Sequence, residues 1–408
     1  MGAYLSEPVT EKISSDEAND KLECGASSMQ GWRVNQEDSH NTILDFDVNT
    51  ALFAVYDGHG GAEVATYCSR LLPKFIKDTE SYKNGNFAQA LEDAFLGFDA
   101  TIPTKDVMDM YIRVFSLFNK DRSQGLDIEY TYDVIVLSQH VTLLPFYILF
   151  RSIYNSACEG EEDEENESSD DDVDEDISMS EEPGNDSGCT AVVALLKGNE
   201  LYVANAGDSR CIICREGKAV DMSVDHKPED AAELERVIKA GGRVSNDGRI
   251  NGGLNLSRAI GDHSYKQKKD LGPKEQMITA LPDVKTLTID PVKDQFMLLA
   301  CDGIWNFMSS QDVCDFILPK LVEGRERLSQ ICEEMFDHCL APSTMGDGTG
   351  CDNMTAILIR FKDGLITEVV KHTESKKRAA EDDPIEAQDS KRPKIDDSLS
   401  SSVVTSSV

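Results

Sequence analysis

The chain has 408 residues, with 40 Lys+Arg against 75 Asp+Glu and a formal net charge of −35. Hydrophobic residues make up 40%, enough for a sizeable core, which excludes disorder throughout. The imbalance is strongly local, because residues 159–186 hold sixteen acidic side chains and no Lys or Arg. Neither that tract nor the ordinarily acidic remainder offers the basic face of a phosphate-backbone binder, so direct nucleic-acid binding is not expected. Basic protein partners and metal-ligating carboxylates stay open.

Residues 1–23 read as an N-terminal arm. Its start, Met1-Gly2-Ala3-Tyr4-Leu5-Ser6, fits the M-G-x-x-x-[ST] pattern and marks Gly2 for N-myristoylation, which would give weak, reversible membrane association. A catalytic domain spans residues 24–362. Within it, Ala51-Leu-Phe-Ala-Val-Tyr56 reads as a buried strand stopped by Asp57-Gly58, and residues 63–72 as a helix ended by Pro73. A second helix covers residues 87–98. Residues 101–186 read as an insertion. Its apolar run 134–150 is shorter than the roughly twenty residues a bilayer span requires and suits a buried or interfacial segment, and residues 159–186 form a disordered acidic tract. Ser168, Ser169, Ser178 and Ser180 in that tract suit acidophilic kinases.

Residues 191–196 and 201–204 flank Lys197-Gly-Asn-Glu200 as a hairpin. A helix over 228–240 follows. Buried strands at 296–301 and 354–361 then bracket helices at 311–318 and 328–339. Strands separated by helices and short turns indicate a mixed or antiparallel α/β architecture rather than alternating β-α units. Residues 363–408 read as a disordered basic, Ser-rich tail. Its clusters Lys376-Lys377-Arg378 and Lys391-Arg392-Pro393-Lys394 suit nuclear import, so cytoplasm and nucleus are the expected compartments. Eleven cysteines, an odd number scattered through apolar runs, agree with a reducing compartment. Cys211-Ile-Ile-Cys214 falls in a strand pattern that points the two thiols to opposite faces, which disfavours zinc.

Four acidic motifs stand near strand ends or in turns: Arg33-Val-Asn-Gln-Glu37-Asp38, Asp57-Gly58-His59-Gly60-Gly61, Asp302-Gly303-Ile304-Trp305 and Asp352-Asn353. A lone Asp-Gly is usually a plain turn. Carboxylates delivered to the edge of a core are costly unless paired or metal-bound, and several converging form the hard oxygen cage that Mg²⁺ or Mn²⁺ prefers.

These motifs resemble those of the metal-dependent protein phosphatase 2C family. The resemblance continues in the family's order through Ser187-Gly188-Cys189-Thr190-Ala191, Asn205-Ala-Gly-Asp208-Ser-Arg210, Ser257-Arg-Ala-Ile-Gly-Asp262 and Gly350-Cys-Asp352-Asn353, over about residues 24–99 and 187–362. The acidic insertion, the Met-Gly start and the basic tail look most like the family's gamma isoform. The resemblance implies a four-layer α/β (α+β) sandwich of two antiparallel sheets flanked by helices, with a dinuclear metal site in the cleft. It implies Asp57 bridging two Mn²⁺/Mg²⁺ ions, the Gly58 carbonyl on one, and Asp302 and Asp352 on the other. Glu37 and Asp38 would hold metal-bound waters, and Asp208 with Asp302 a weaker third ion. Cys189 and Asn306 depart from the family's usual residues, and neither is a ligand.

Two cations sharing a water would lower its pKa and hold the bridging hydroxide in line with phosphorus, without a covalent intermediate. Arg33 can grip phosphoryl oxygens bidentately, and His59 suits protonation of the leaving Ser/Thr oxygen. A thiol phosphatase is excluded, since His338-Cys339 is followed by Met345 where Arg is required. His226 reads as structural, Arg258 and Asp262 as a structural ion pair, and Trp32 and Trp305 as core or cleft-wall residues. The leading reading is a monomeric Ser/Thr phosphoprotein phosphatase whose acidic tract steers basic nuclear substrates such as histones or splicing factors. The alternatives are a hydrolase of small phosphate esters and a catalytically silent acidic scaffold.

Overall fold

The computed structural model describes residues 4–102, 186–362 and 365. Gly2, the apolar run 134–150, nearly all of the acidic tract and the basic tail clusters lie outside the described residues. Among the described residues no helix is long and apolar enough to cross a membrane.

Two antiparallel sheets form the centre. One has five strands in the order β12 (Asp283–Thr288), β8 (Glu200–Ala206), β7 (Ala191–Lys197), β4 (Thr50–Tyr56) and β3 (Ser39–Asp47). The other has six, in the order β1 (Tyr4–Ala18), β2 (Leu22–Arg33), β14 (Met354–Phe361), β13 (Asp294–Ala300), β9 (Arg210–Arg215) and β10 (Lys218–Asp221). A strand with cover on both faces is apolar at every position, and β4 shows why. Its Ala51, Phe53 and Val55 meet Val192, Val203, Met297 and Ile357 between the sheets. Its Leu52, Ala54 and Tyr56 face outward onto α1 (Glu63–Asp78) and, past the short α2 (Glu80–Lys83), α3 (Phe87–Asp99); α1 and α3 supply Val64, Leu72, Leu91 and Phe95.

The other sheet repeats the arrangement. Met297 and Leu299 point between the sheets, while Phe296 and Leu298 pack on α6 (Ser310–Glu323) and α7 (Leu328–Cys339) through Val313, Ile317 and Phe336. The result is the expected four-layer sandwich. Cys211 joins the core between the sheets and Cys214 the core beneath the helices, so their thiols do point to opposite faces.

Three expectations need correction. Residues 4–18 are not an arm: they form β1, paired along β2 from Tyr4 opposite Arg33 to Ala18 opposite Glu23. The strand escapes notice because it is an edge with polar, largely exposed side chains. Its ladder is reinforced by polar contacts, Ser14 Oγ to Glu333 (2.8 Å) and the Ser329 amide to Asp16 (2.9 Å), rather than by apolar alternation. Pro73 does not end α1, which runs on to Asp78. A proline inside a helix orphans the carbonyl four residues back, and here the Ser69 carbonyl accepts from Asn41 Nδ2 at 2.8 Å instead. Pro319 likewise lies inside α6. The helix expected over 228–240 is shorter, α4 (Ala231–Lys239), with Asp230 at its N-cap.

α4 and the residues after it make a small separate core of Val237, Ile250, Leu256 and Ile278. Within it, Glu233 receives Arg258 at 2.7 Å, Arg236 at 2.7 Å and the Ser257 hydroxyl at 2.6 Å, and Arg258 also reaches Asp283 of β12 at 2.8 Å. Burial alone would raise the Glu233 carboxyl, but the Arg258 hydrogen bonds and the two guanidinium charges outweigh it and bring it down to about 2. A carboxyl whose folded pKa lies below its unfolded value near 4.5 stabilises the fold above that value and ceases to as pH falls towards 2. Glu233→Gln is therefore expected to lower Tm at pH 7. The gap to the unmodified protein should close as pH falls from about 4.5 to 2, and thermal unfolding followed by circular dichroism checks it.

Candidate metal centre

The site lies where strand ends of both sheets meet. β4 ends at Tyr56 and delivers Asp57, whose carbonyl accepts from Thr190 N at 2.9 Å. Gly58 and His59 then form β5 (Gly58–His59), paired with β6 (Gly188–Cys189), which pairs in turn with β11 (Ile260–Gly261). Gly58 has to be glycine, because a Cβ there would lie 2.4 Å from the Glu37 carbonyl oxygen. From the facing sheet, β13 leads through Cys301 to Asp302 at the start of α5 (Asp302–Trp305), and Asp352 precedes β14. Arg33 ends β2. Elements distant in sequence thus converge because the sandwich stacks their ends.

Ligand-capable atoms of Asp57, Asp208 and Asp302 lie within 4.8 Å of one another, as do those of Asp38, Asp57 and Cys301. Asp38 Oδ2 accepts from Thr355 Oγ1 at 2.7 Å, while its Oδ1 is buried with no partner among the described residues. Asn306 Nδ2 donates to Asp302 Oδ2 at 2.9 Å. Asp352 is turned towards Arg33, with Nη2 to Oδ2 at 2.7 Å, and the buried Arg33 Nε has no partner among the described residues. Glu37 stands at the rim, held by its amide on Asn353 Oδ1 at 3.0 Å. Lys227 Nζ reaches Asp208 Oδ2 at 2.5 Å. Every expected site residue except Gly2 therefore meets in one cleft, with Asp352 joined through Arg33 rather than within the tightest carboxylate groups.

Crowding has a clear electrostatic signature. Burial and then repulsion from Asp38, Asp302, Asp352 and Asp208 hold the Asp57 carboxyl well above the usual range. Burial, with Asp208 and Asp352, pushes Asp302 up to about 8, and burial pushes Asp38 up to about 7 despite the Thr355 hydroxyl. Lys227 and Arg33 are already engaged by Asp208 and Asp352. Negative charge is in excess, an oxygen of Asp38 is orphaned, and the donors are hard carboxylates. Those features fit divalent Mg²⁺ or Mn²⁺. Cys301 does not contribute a ligand of that kind: burial and three neighbouring Asp keep its thiol far above the usual range, and it donates to the Asn353 carbonyl at 3.5 Å.

The expected pairing of Arg258 with Asp262 is wrong. Arg258 pairs with Glu233 and Asp283, and Asp262 Oδ2 instead meets His59 Nε2 at 2.8 Å. Burial alone would lower the His59 pKa, but the Asp262 charge and hydrogen bond, aided by Asp208 and Glu37, raise it. Asp262 stands in the Ser257–Asp262 motif and Lys227 directly follows His226, but nothing in their spacing names their partners. His226 is structural: it accepts from Gly207 N at 3.2 Å and meets Asp283 at 3.2 Å. Trp305 is buried and carries the Arg210 guanidinium 4.9 Å over its ring.

The two-sheet sandwich thus sets a cluster of buried carboxylates and one arginine, Arg33, side by side at its strand ends. The sequence profile described as protein phosphatase 2C matches residues 22–113 and 148–348. Protein phosphatase 1G of mouse is 39% identical, covering 94% of this chain and 96% of its own length, and the human protein of that name is also 39% identical with the same coverage. The probable protein phosphatase 2C 21 of Arabidopsis thaliana is 44% identical over 89% of this chain and 93% of its own. A crystal structure of serine-threonine phosphatase 2C from Toxoplasma gondii superposes with a TM-score of 0.57, at 17% identity, over 86% of this chain and 99% of that one, which shows the shared fold. The chain belongs to the protein phosphatase 2C family, and it is a protein phosphatase.

If cations relieve the carboxylate repulsion, adding Mn²⁺ or Mg²⁺ to chelator-stripped protein should raise Tm by several degrees through preferential binding to the folded state. Differential scanning fluorimetry of Asp57→Asn should show that rise reduced or abolished.

Proposed function

We propose that the enzyme hydrolyses phosphoserine and phosphothreonine in proteins, with two Mn²⁺ or Mg²⁺ ions and a weaker third. The carrying observation is the juxtaposition of Asp57, Asp302, Asp38 and Asp208 with Arg33 and His59 in one cleft. Asp57, the Gly58 carbonyl, Asp302 and Asp352 would hold the ions, with Glu37 and Asp38 orienting their waters and Asp208 serving the third. The ions, when bound, supply a nucleophilic hydroxide at neutral pH and offset phosphoryl charge. Arg33, with its free Nε, grips two phosphoryl oxygens and orients the group. His59 delivers a proton to the departing Ser or Thr oxygen. No side chain needs to be phosphorylated.

A silent scaffold finds no support here, since such a protein has no need of the full set Arg33, Asp57, His59, Asp302 and Asp352. The reading extends to parts outside the described residues. The acidic tract would recruit basic nuclear phosphoproteins such as histones or splicing factors by steering, the tail clusters would direct import, and acylated Gly2 would give weak membrane attachment. Cytoplasm and nucleus are the proposed compartments and a monomer the proposed state.

Metal-dependent dephosphorylation of a phosphothreonine peptide tests the core of this. Asp302→Ala should lose activity by at least about a hundredfold, a magnitude on the order of other removed transition-state charge partners. Full retention would contradict the metal role. For the tract, deletion of residues 159–186 is expected to raise KM for a basic phosphoprotein while leaving a small ester unaffected. Equal loss on both substrates would contradict the steering role.

A further inference from the structure

The structure assigns Asp262 as the positioning residue for His59, an inference that rests on the reading of His59 as proton donor. Asp262 is fully buried, and its Oδ2 lies 2.8 Å from His59 Nε2. It also adopts the left-handed conformation, with φ 51 and ψ 41. A non-glycine residue is held there only where surrounding contacts over-determine it.

Those contacts come from three directions. The Asp262 amide donates to the Ser187 carbonyl at 2.9 Å. The preceding Gly261 amide donates to Asp99 Oδ1 at 2.8 Å, and Lys266 Nζ locks the same oxygen at 2.7 Å. Gly188 stands opposite both His59 and Gly261, and a Cβ at 188 would lie 2.5 Å from Asp262 Oδ2. Glycine at that position is what lets the carboxylate reach the imidazole. The three short strands β5, β6 and β11 thus act as a frame that sets His59 and Asp262 in register.

Asp262 is not needed to balance Arg258, which is satisfied by Glu233 and Asp283. With Nε2 engaged, Nδ1 is the ring nitrogen left without a hydrogen-bond partner among the described residues. Asp262 accepts Nε2–H and so fixes both the ring orientation and the tautomer. The proton on Nδ1 then passes to the Ser or Thr oxygen as the P–O bond breaks, the bond's electron pair becoming the new O–H bond. The imidazole is left neutral with Nε2–H still on Asp262.

The leaving group separates positioning from mere structure. A Thr alkoxide needs protonation, whereas the nitrophenolate of p-nitrophenyl phosphate departs with little help. The test compares Asp262→Asn, which keeps the shape but not the charge, Asp262→Ala, and His59→Gln, measuring kcat and KM on a phosphothreonine peptide and on p-nitrophenyl phosphate. Both Asp262 variants should lose kcat on the peptide by about tenfold, less than the 10²–10⁴ of a general acid itself because Asp262 acts through His59, with KM little changed and a far smaller loss on the aryl ester. His59→Gln should show the same selectivity, more strongly. Equal losses on both substrates from Asp262→Asn and Asp262→Ala, or no loss on the peptide, would overturn the inference while His59→Gln remained selective. An unselective His59→Gln would instead overturn the proton-donor reading and this inference with it.

Discussion

Repulsion among buried carboxylates is the constraint on which this protein's architecture turns. Asp57, Asp302 and Asp38 are each driven up by burial, and Asp57 and Asp302 further by their acidic neighbours, Asp302 to about 8 and Asp38 to about 7. No fold places such groups together without something to hold them. Here the holding is done by two stacked sheets whose apolar strands are covered on both sides, so that rigid strand ends aim Asp57 and Asp302.

The same rigidity explains the close backbone approaches around the cleft. Gly58 lies against the Glu37 carbonyl, and Gly303 lies against the Asn353 carbonyl, where a Cβ would come within 2.1 Å. Asn353 bridges further, accepting from the Glu37 amide and donating to the Gln30 and Asn35 carbonyls at 2.8 and 3.0 Å. That single amide therefore fixes the loop carrying Glu37 and Asp38 against the strand that follows Asp352. On the proposed reading, hard cations would bind charge held at this density and Arg33 would receive the phosphoryl group. Sixteen of the acids behind the chain's formal charge of −35 lie in the insertion tract, and among the ordinarily acidic remainder a handful gather at the site, where bound cations would offset their charge.

Much of this was legible in the sequence. The apolar runs of β4, β7, β13 and β14 announce buried strands, and Asp57 and Asp302 directly after such runs announce carboxylates at strand ends. What was not legible has physical reasons. β1 is a polar edge strand, whose pairing is carried by backbone bonds that leave no side-chain period. Pro73 was read as a stop because only the fold supplies Asn41 to the freed Ser69 carbonyl. Proximity in sequence suggests Arg258, four residues away, as the partner of Asp262, whereas Arg258 pairs with Glu233 and Asp262 with His59. His59 lies 203 residues from Asp262 and reaches it only through the pairing of β5, β6 and β11.

The central claim is that the carboxylate cleft is a shared cage for two cations. Anomalous diffraction from crystals grown with Mn²⁺ tests it directly. The account predicts two manganese peaks that share Asp57, one bearing Asp302 and Asp352 and the other the Gly58 carbonyl. Manganese-soaked crystals with no peak at Asp57, or with ions bound only elsewhere, would contradict it.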